Sequence, residues 1–226
     1  MTVTYHPNMI QGSDEWHAAR CGLLTASEMA YIVTPTLRAA SNDKERMHLF
    51  ELLAQRISQY VEPSYIGDNM LRGWDDEVEA RNLYDANYER VTEVGFITND
   101  RWGFTLGYSP DGCVGADGLI ECKSRKQKFQ IQTIATGEVP TEYMIQLQTG
   151  LLVSERKWID FISYSGGLPM VTLRVEPIAE YQDAILAAAE AFEKRLAERL
   201  ADYNEAIASH ARLIPTERRI EAEMYV

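Results

Sequence analysis

The sequence predicts an α/β fold in which helices flank a central mixed sheet. Turn residues bound four stretches that are rich in β-branched and aromatic residues, which is typical of strands: 91–97, 104–108, 157–164 and 170–175. Apolar residues recur every three or four positions in longer stretches, which is typical of helices: 41–61, 75–88, 126–136, 140–154 and 178–207. Because strands and helices alternate along the chain, we expect the helices to cover both faces of the sheet.

The size of the chain fits one domain. It has 226 residues, of which 46% are hydrophobic, so it can bury a sizeable core. It contains no internal repeat, low-complexity tract or linker rich enough to divide it. We therefore expect a single domain over residues 1–226, with a long C-terminal helix at about 178–207 and a loose tail at about 212–226.

Cysteine usage and hydropathy bear on the compartment. The three cysteines are an odd number without C-x-x-C spacing, which argues against a disulfide framework or a zinc site: Cys21, Cys113 and Cys122. No apolar run approaches the roughly 20 residues of a membrane helix, and the first residues do not resemble a secretion signal. We expect a cytoplasmic protein with no membrane partner.

The N-terminal part begins with an edge segment or arm over residues 1–12, and a helix follows from Ser13, which can cap it. Trp16 and Arg20 are four residues apart and share a face of this helix, where Arg20 could clamp a phosphate. The alternative is a Trp–Arg stacking pair at the rim of the core. The next helix is expected to open at residues 25–28, with Thr25 or Ser27 as its cap.

Two helices carry apolar stripes that we expect to face the core. In the helix over residues 41–61 the stripe consists of Met47, Leu49, Phe50, Leu53, Ile57 and Tyr60. In the long C-terminal helix it consists of Ile185, Ala189, Phe192, Leu196, Leu200, Tyr203 and Ile207. Part of the second stripe could instead make a subunit contact.

The segment over residues 109–123, SPDGCVGADGLIECK, is the most informative stretch. Asp111 lies in a Pro-Asp-Gly turn, and a short strand ten residues later carries Glu121, Cys122 and Lys123. Alternate side chains of a strand share a face, so Glu121 and Lys123 point the same way while Cys122 points into the core.

Metal-dependent phosphodiester hydrolysis needs this set of residues. Two carboxylates are hard oxygen ligands for Mg²⁺, and the carbonyl of Cys122 is a further oxygen ligand. A lysine beside them can orient the attacking water or help to deprotonate it. The alternative is that Asp111 is only a turn residue and Glu121 and Lys123 an exposed strand pair.

Other motifs extend the pattern. A helix begins in the segment 73–81 (GWDDEVEAR), and another carries residues 143–148 (YMIQLQ). A glutamate, Pro-Asp, Glu-x-Lys and a helical glutamine occur in this order in the PD-(D/E)xK nucleases. Together with segments 11–20 (QGSDEWHAAR) and 25–28 (TASE), the chain resembles the phage lambda exonuclease (YqaJ-type viral recombinase) family from about residue 11 to about residue 165. The resemblance implies a restriction-endonuclease-like α/β fold.

The resemblance implies roles for the catalytic residues. Glu77 would be the helical acidic ligand, although Asp76 and Glu79 lie beside it and spacing alone does not choose. Asp111, Glu121 and the carbonyl of Cys122 would complete the metal site. Lys123 would orient the nucleophile with support from Gln146, the first glutamine of the Gln-x-Gln pair.

The resemblance also implies substrate contacts. Arg20 and Ser27 would bind the terminal 5′-phosphate, and Ser109 would also contact the substrate. Trp16 would lie along the path of the separated strands. Met70 would wedge between the terminal bases, and Arg38 falls near a family position that contacts DNA.

As the resemblance implies, the protein would be a processive Mg²⁺-dependent exonuclease on linear double-stranded DNA with a 5′-phosphate end. It would digest one strand from 5′ to 3′, releasing mononucleotides and leaving a 3′ single-stranded overhang for annealing-type phage recombination. One or two Mg²⁺ ions would be bound, and Mn²⁺ could substitute. The family forms ring-shaped homotrimers that work with a single-strand annealing protein, in the cytoplasm of a bacterium whose phage or prophage encodes them.

Two other functions fit parts of the sequence. A structure- or sequence-specific endonuclease of the same fold would use the same residues. A non-catalytic scaffold or partner-binding protein would fit the net charge of −12, which is unusual for a protein that binds DNA. Basic residues do cluster directly after the motif strand, and we expect them to form a small track for DNA: Lys123, Arg125, Lys126 and Lys128.

Overall fold

The computed structural model describes residues 2–63, 67–209 and 212–218. It contains two mixed sheets rather than one. The first has the order β1-β4-β5-β2, with β1 Val3–His6, β4 Phe96–Asn99, β5 Leu106–Tyr108 and β2 Leu24–Thr25. The second has the order β3-β6-β7-β8-β9, with β3 Val91–Thr92, β6 Gly112–Val114, β7 Gly118–Ser124, β8 Trp158–Tyr164 and β9 Val171–Val175.

Helices pack around these sheets, so the predicted α/β class with mixed sheets and flanking helices is confirmed. They are α1 Asp14–Arg20, α2 Met29–Ile32, α3 Asp43–Ser58, α4 Asp68–Asn87, α5 Gln127–Thr136, α6 Thr141–Ser154 and α7 Ala179–Ser209. Residues 212–218 form neither helix nor strand, and residues 219–226 lie outside the described part. No described helix has both the length and the apolar composition to cross a membrane.

Strand β7, which carries the Glu-x-Lys motif, lies in the middle of the second sheet. It pairs with β6 in antiparallel fashion and with β8 in parallel, where Glu121 lies opposite Phe161. Its two faces meet different cores. Leu119 joins the larger core, whereas Ile120 and Cys122 pack with Ala80 and other residues in a smaller cluster under α4.

Helix α3 faces the core differently from the prediction. Leu49 and Leu53 are buried, but Met47 is 73% exposed and Phe50 55% exposed. Ile57 and Tyr60 are also exposed, so the expectation that the whole stripe is core is wrong. Polar side chains of α3 make contacts with α7 instead of these exposed apolar residues. Glu45 pairs with Arg195 (2.5 Å), and the ring of His48 stacks on that of Phe192.

The stripe of α7 reaches the core only along its first half. Ile185, Ala189, Phe192 and Leu196 are buried, and Leu200 packs against the core while partly exposed. Tyr203 and Ile207 are exposed, since α7 runs on past the elements that cover it.

Three predicted boundaries are wrong. Thr25 belongs to β2, where it lies opposite Gly107, and α2 starts at Met29 with Glu28 as its N-cap residue and no side-chain cap. Neither Thr25 nor Ser27 therefore caps α2. Helix α4 begins at Asp68 rather than near residue 75, so Met70 is helical. The stretch 91–97 also contains two strands of different sheets, β3 and β4.

Candidate active site

Glu121 is the centre of the candidate active site. Its side chain is almost fully buried on β7, and its carboxylate accepts three hydrogen bonds. Lys123 Nζ and Gln146 Nε2 donate to Oε1 at 2.7 and 2.6 Å, and the Tyr108 hydroxyl donates to Oε2 at 2.8 Å. β7, α6 and β5 thus bring three predicted site residues together with one tyrosine that was not predicted.

Close packing of α6 on β5 positions Tyr108. A Cβ atom at Gly150 of α6 would lie 2.8 Å from Tyr108 Cζ, so only glycine lets the helix approach the ring this closely. Burial, followed by the negative charges of Glu121 and Asp111, raises the pKa of Tyr108 well above its ordinary value. The phenol therefore stays protonated and donates to Glu121. In the sequence, the only sign of this role is that Tyr108 directly precedes the Ser-Pro-Asp-Gly motif.

Asp111 lies across the open edge of β7. Pairing between β6 and β7 stops at Ile120, so the main chain of Cys122 has no strand neighbour on that edge. The Cys122 N–H donates instead to Asp111 Oδ2 at 2.5 Å. The N–H and C=O of one strand residue point to the same edge, so the Cys122 carbonyl also faces the Asp111 side.

Glu77 reaches the site from α4. Arg81, one turn later, lies 3.3 Å from Glu77 Oε1 and donates to the main-chain oxygen of Asp111 at 3.1 Å. Arg81 thereby ties the helix to the Pro-Asp-Gly turn. The neighbouring acidic residues differ: Asp76 accepts a hydrogen bond from Ser124, and Glu79 is exposed.

Burial and neighbouring charges shift the pKa values of several groups in this site. Burial raises the pKa of Glu77, with Arg81 opposing and Glu121 adding to the rise. Burial and the charges of Glu121 and Glu77 raise the pKa of Asp111 well above its ordinary value. Burial acts to lower the pKa of Lys123, but the carboxylates of Glu121 and Asp111 outweigh it and raise that pKa. The ammonium group therefore stays charged at neutral pH.

The candidate ligands for a divalent cation are three carboxylates and the carbonyl of Cys122. Within residues 2–63, 67–209 and 212–218, no group of three His, Cys, Asp or Glu side chains is already arranged to hold a metal ion. Lys123, Gln146 and Tyr108 occupy the oxygens of Glu121. Three partly or fully buried carboxylates nevertheless repel one another here, and hard oxygen donors suit Mg²⁺. The residue types and their shared charge thus fit a hard cation.

A second cluster surrounds Arg20. Its guanidinium lies 4.3 Å over the Trp16 ring, and Nη1 donates to Ser109 Oγ at 3.2 Å. Trp16 Nε1 donates to the same oxygen at 2.9 Å. Thr25 Oγ1 accepts from Arg20 Nη2 at 3.2 Å and lies 3.3 Å from Ser27 Oγ. Four predicted substrate residues and the unpredicted Thr25 therefore meet, and Ser109 joins them to Asp111 two residues later.

A cleft of about 1010 Å³ runs past both clusters. Trp16, Met70 and Glu77 are among its lining residues, and the Met70 side chain is exposed. Arg38 is exposed in the loop after α2 and is not among the residues that line the cleft, and among the described residues its guanidinium forms no ion pair or hydrogen bond. The geometry thus joins Met70, but not Arg38, to the other predicted residues.

The expected basic track is not continuous. Lys123 is bound to Glu121, and Arg125 is buried, where it pairs with Glu142 and stacks near the Tyr143 ring. Only Lys126 and Lys128 of the four basic residues are exposed. The prediction of a four-residue surface track is therefore wrong, because Lys123 on β7 and Arg125 directly after it pair with carboxylates instead of facing solvent freely.

The fold and the site together define a nuclease of the PD-(D/E)xK type. Residues 15–157 match the model of the YqaJ-like viral recombinase domain, and the chain belongs to this family. No curated protein sequence matches the chain.

Solved structures agree with the family. The alkaline exonuclease LHK-Exo from Laribacter hongkongensis is 32% identical, with 87% of this chain and 98% of that chain covered and a TM-score of 0.76. The same enzyme in complex with dAMP is 33% identical over the same shares, with a TM-score of 0.77. A phage-related exonuclease from Haemophilus somnus 129PT is 14% identical, with 80% and 96% covered and a TM-score of 0.55, which shows a shared fold alone. These relatives support an exonuclease-like nuclease function.

Proposed function

We propose that this protein is a Mg²⁺-dependent, processive exonuclease that digests one strand of linear duplex DNA from its 5′ end. It would release mononucleotides and leave a 3′ overhang. The observation that supports this most is the meeting of two clusters of opposite charge. The acidic cluster consists of Glu77, Asp111, Glu121 and Lys123, whose charges act on one another. Ser109, two residues before Asp111, accepts a hydrogen bond from Arg20 and so links the two clusters.

The acidic cluster would hold the metal. Glu77, Asp111, Glu121 and the Cys122 carbonyl supply hard oxygen ligands, for one or two Mg²⁺ ions or for Mn²⁺ in their place. Bound Mg²⁺ would acidify water and stabilise negative charge on the phosphate oxygens. To join as a ligand, Glu121 would exchange one of its present hydrogen bonds.

Lys123 would act by donating hydrogen bonds to the attacking water. Its raised pKa keeps the ammonium charged, and Glu121 fixes its position at 2.7 Å. From there it can orient the attacking water and face the phosphate. Gln146 bonds to the same oxygen and holds the carboxylate in place.

The Arg20 cluster would set the polarity of digestion. Arginine and hydroxyl groups bind phosphate well, and Arg20, Ser27 and Ser109 are held together beside the acidic cluster. Burial lowers the pKa of Arg20, although Glu28 opposes this, so a bound dianionic phosphate would relieve the cost of the buried cation. Each cut would leave a new 5′-phosphate for the same cluster.

The complex of LHK-Exo with dAMP fits the release of mononucleotides in this family. By the same likeness we propose a homotrimer ring and a single-strand annealing protein as partners. Measurement of the native mass, and co-purification with an annealing protein from the same phage or prophage, would test these two assignments.

One assay tests the proposed function. A linear duplex labelled at one 5′ end is incubated with and without Mg²⁺, next to a covalently closed circle. We expect labelled mononucleotide only with Mg²⁺. At the labelled end, the strand that ends in a 3′ terminus should remain undigested, and the circle should stay intact. Cleavage of the circle would instead identify an endonuclease, and no digestion by the wild-type protein would reject the proposal.

A further inference from the structure

Among the residues that the structure describes, three large aromatic side chains line the cleft beside the acidic cluster: Trp16, Tyr60 and Trp74. Aromatic rings in such a place can stack on the bases of single-stranded nucleic acid. A ring can do this only when one of its faces is accessible.

Two of these rings already carry a cation on one face, which leaves at most one face for a base. The guanidinium of Arg20 lies 4.3 Å from the centroid of the Trp16 ring, and the indole N–H donates to Ser109. The guanidinium of Arg218, from the C-terminal segment, lies 3.4 Å from the centroid of the Tyr60 ring. Both rings therefore have a cation on one face.

Trp74 differs from the other two. Its side chain is 50% exposed, and within the described part of the chain it has no ring contact, cation contact or hydrogen bond. About half of the Trp74 side chain thus remains accessible to solvent in the cleft. Among the described large aromatic residues of the cleft, it is the ring with no cation on either face.

The position of Trp74 on α4 places it beside the chemistry. Met70 is four residues before it and Glu77 three residues after it, so the three lie along one face of the helix, and all line the cleft. Three residues of α-helix advance about 4.5 Å. A base on Trp74 would thus lie within about one nucleotide of the Glu77 end of the acidic cluster.

We propose that Trp74 stacks on the unpaired base that adjoins the phosphate to be cut. The inference rests on the proposed nuclease function and adds a positioning contact to it. Stacking suits an enzyme that must move along any sequence, because every base offers a ring face. It would hold the separated strand in line with Glu77, Asp111 and Glu121.

The test combines protein and substrate changes. Trp74→Ala and Trp74→Phe are compared with wild type on 5′-phosphorylated duplexes with Mg²⁺, in single-turnover measurements of the first cut. The duplexes carry either normal nucleotides or an abasic site as the first or the second nucleotide. Leu71→Ala is the matched control, because Leu71 is 48% exposed on the same helix but does not line the cleft.

We expect Trp74→Ala to slow the first cut roughly 5- to 100-fold on normal ends, the range that one lost stacking contact gives. On one of the two abasic substrates wild type should be slowed by a similar factor, and the Ala variant should add little further loss. Trp74→Phe should recover most of the rate, and Leu71→Ala should match wild type.

Equal slowing by Trp74→Ala on normal and both abasic ends would overturn the inference, as would the same loss in Leu71→Ala. Thermal melting of each variant confirms that it is folded. Failure of the proposed function looks different, because wild type itself would then fail to cut normal duplex with Mg²⁺.

Discussion

The acidic cluster and the Arg20 cluster lie side by side but are built differently. Glu121 lies on a long central strand and receives three hydrogen bonds from side chains of β7, α6 and β5. Arg20 is at the end of the short helix α1 and relies on a ring and on neutral hydroxyl groups. The acidic half is thus held rigidly by the core, whereas the basic half depends on short elements.

The difference in charge is equally instructive. Mutual repulsion of carboxylates disfavours their ionised forms in the acidic cluster, so a cation is needed to relieve it. In the Arg20 cluster, a partly buried guanidinium faces hydroxyl groups and, among the described residues, only one nearby carboxylate, that of Glu28, so a bound anion would stabilise it. A divalent cation would neutralise the acidic cluster, and the phosphate of a nucleic acid would neutralise Arg20. Four predictions test this contrast, in order of expected effect.

The largest effect should follow Lys123→Ala. Loss of the ammonium removes the group that faces the nucleophile, and we expect turnover on linear duplex to fall on the order of 10²- to 10³-fold. DNA binding, measured by fluorescence anisotropy, should remain. Lys44→Ala is the control, because Lys44 is exposed on α3 and does not line the cleft. Near-normal turnover in Lys123→Ala would remove this residue from the mechanism.

Arg20→Ala should change the preference for the DNA end. Loss of charge-assisted bonds to phosphate should slow digestion by roughly 10- to 100-fold on 5′-phosphorylated ends, and much less on 5′-hydroxyl ends. The two rates are measured on duplexes that differ only in the terminal phosphate. Arg46→Ala, an exposed arginine on α3, serves as the control. Equal slowing on both ends would reject the phosphate role.

Tyr108→Phe should have a smaller effect. The variant keeps the ring against Gly150 but removes one donor to Glu121, and we expect a roughly fivefold loss of turnover. Tyr84→Phe is a matched control, because the Tyr84 hydroxyl is equally buried but donates to Asp160 outside the site. If the two variants lose the same activity, Tyr108 has only a structural role.

The smallest effect concerns stability and pH. The pKa values of Asp111 and Glu77 are raised in the folded state, so the folded protein binds these two protons more tightly than the unfolded chain does. This adds to the free energy of unfolding at low pH. This contribution is lost as the pH rises through those raised values. Mg²⁺ should offset this loss, so at ten times its Kd it should raise Tm by roughly 3–6 °C at pH 8 and by less at pH 5.

Asp111→Asn separates this effect from general salt stabilisation. The neutral amide removes the repulsion, so the variant should melt higher than wild type without Mg²⁺ at pH 8. It should also show a much smaller Mg²⁺-induced shift in calorimetry. A Mg²⁺ shift that is unchanged in this variant, or one that grows toward pH 5, would contradict the assignment of the charges.

Local patterns predicted most of the elements that carry the site. The alternation in β7 placed Glu121 and Lys123 on one face and Cys122 in the core beneath α4. Periodicity also predicted α5, α6 and the long α7 close to their observed bounds. Such patterns are visible because side-chain direction in a strand or helix follows from local geometry.

Other features depended on which elements pack together. Met47 and Phe50 fit an amphipathic stripe, yet the buried face of α3 is the one whose Glu45 pairs with Arg195, 150 residues later. Thr25 looked like a helix cap, but its pairing with β5 makes it a strand residue. Propensity cannot anticipate such outcomes, since long-range contacts override it.

By itself, the sequence predicted which acidic residues, lysine and glutamine belong to the site, because their types, order and local spacing form a recognisable pattern. Only the tertiary structure decided that Tyr108 and Arg81 complete the acidic cluster, that Thr25 joins Arg20, and that Trp74 lies half-exposed in the cleft. A hydrogen bond between side chains distant in sequence requires them to lie within a few ångströms of each other. A ring stays exposed only where no other side chain packs against it. That arrangement exists only once the core has packed.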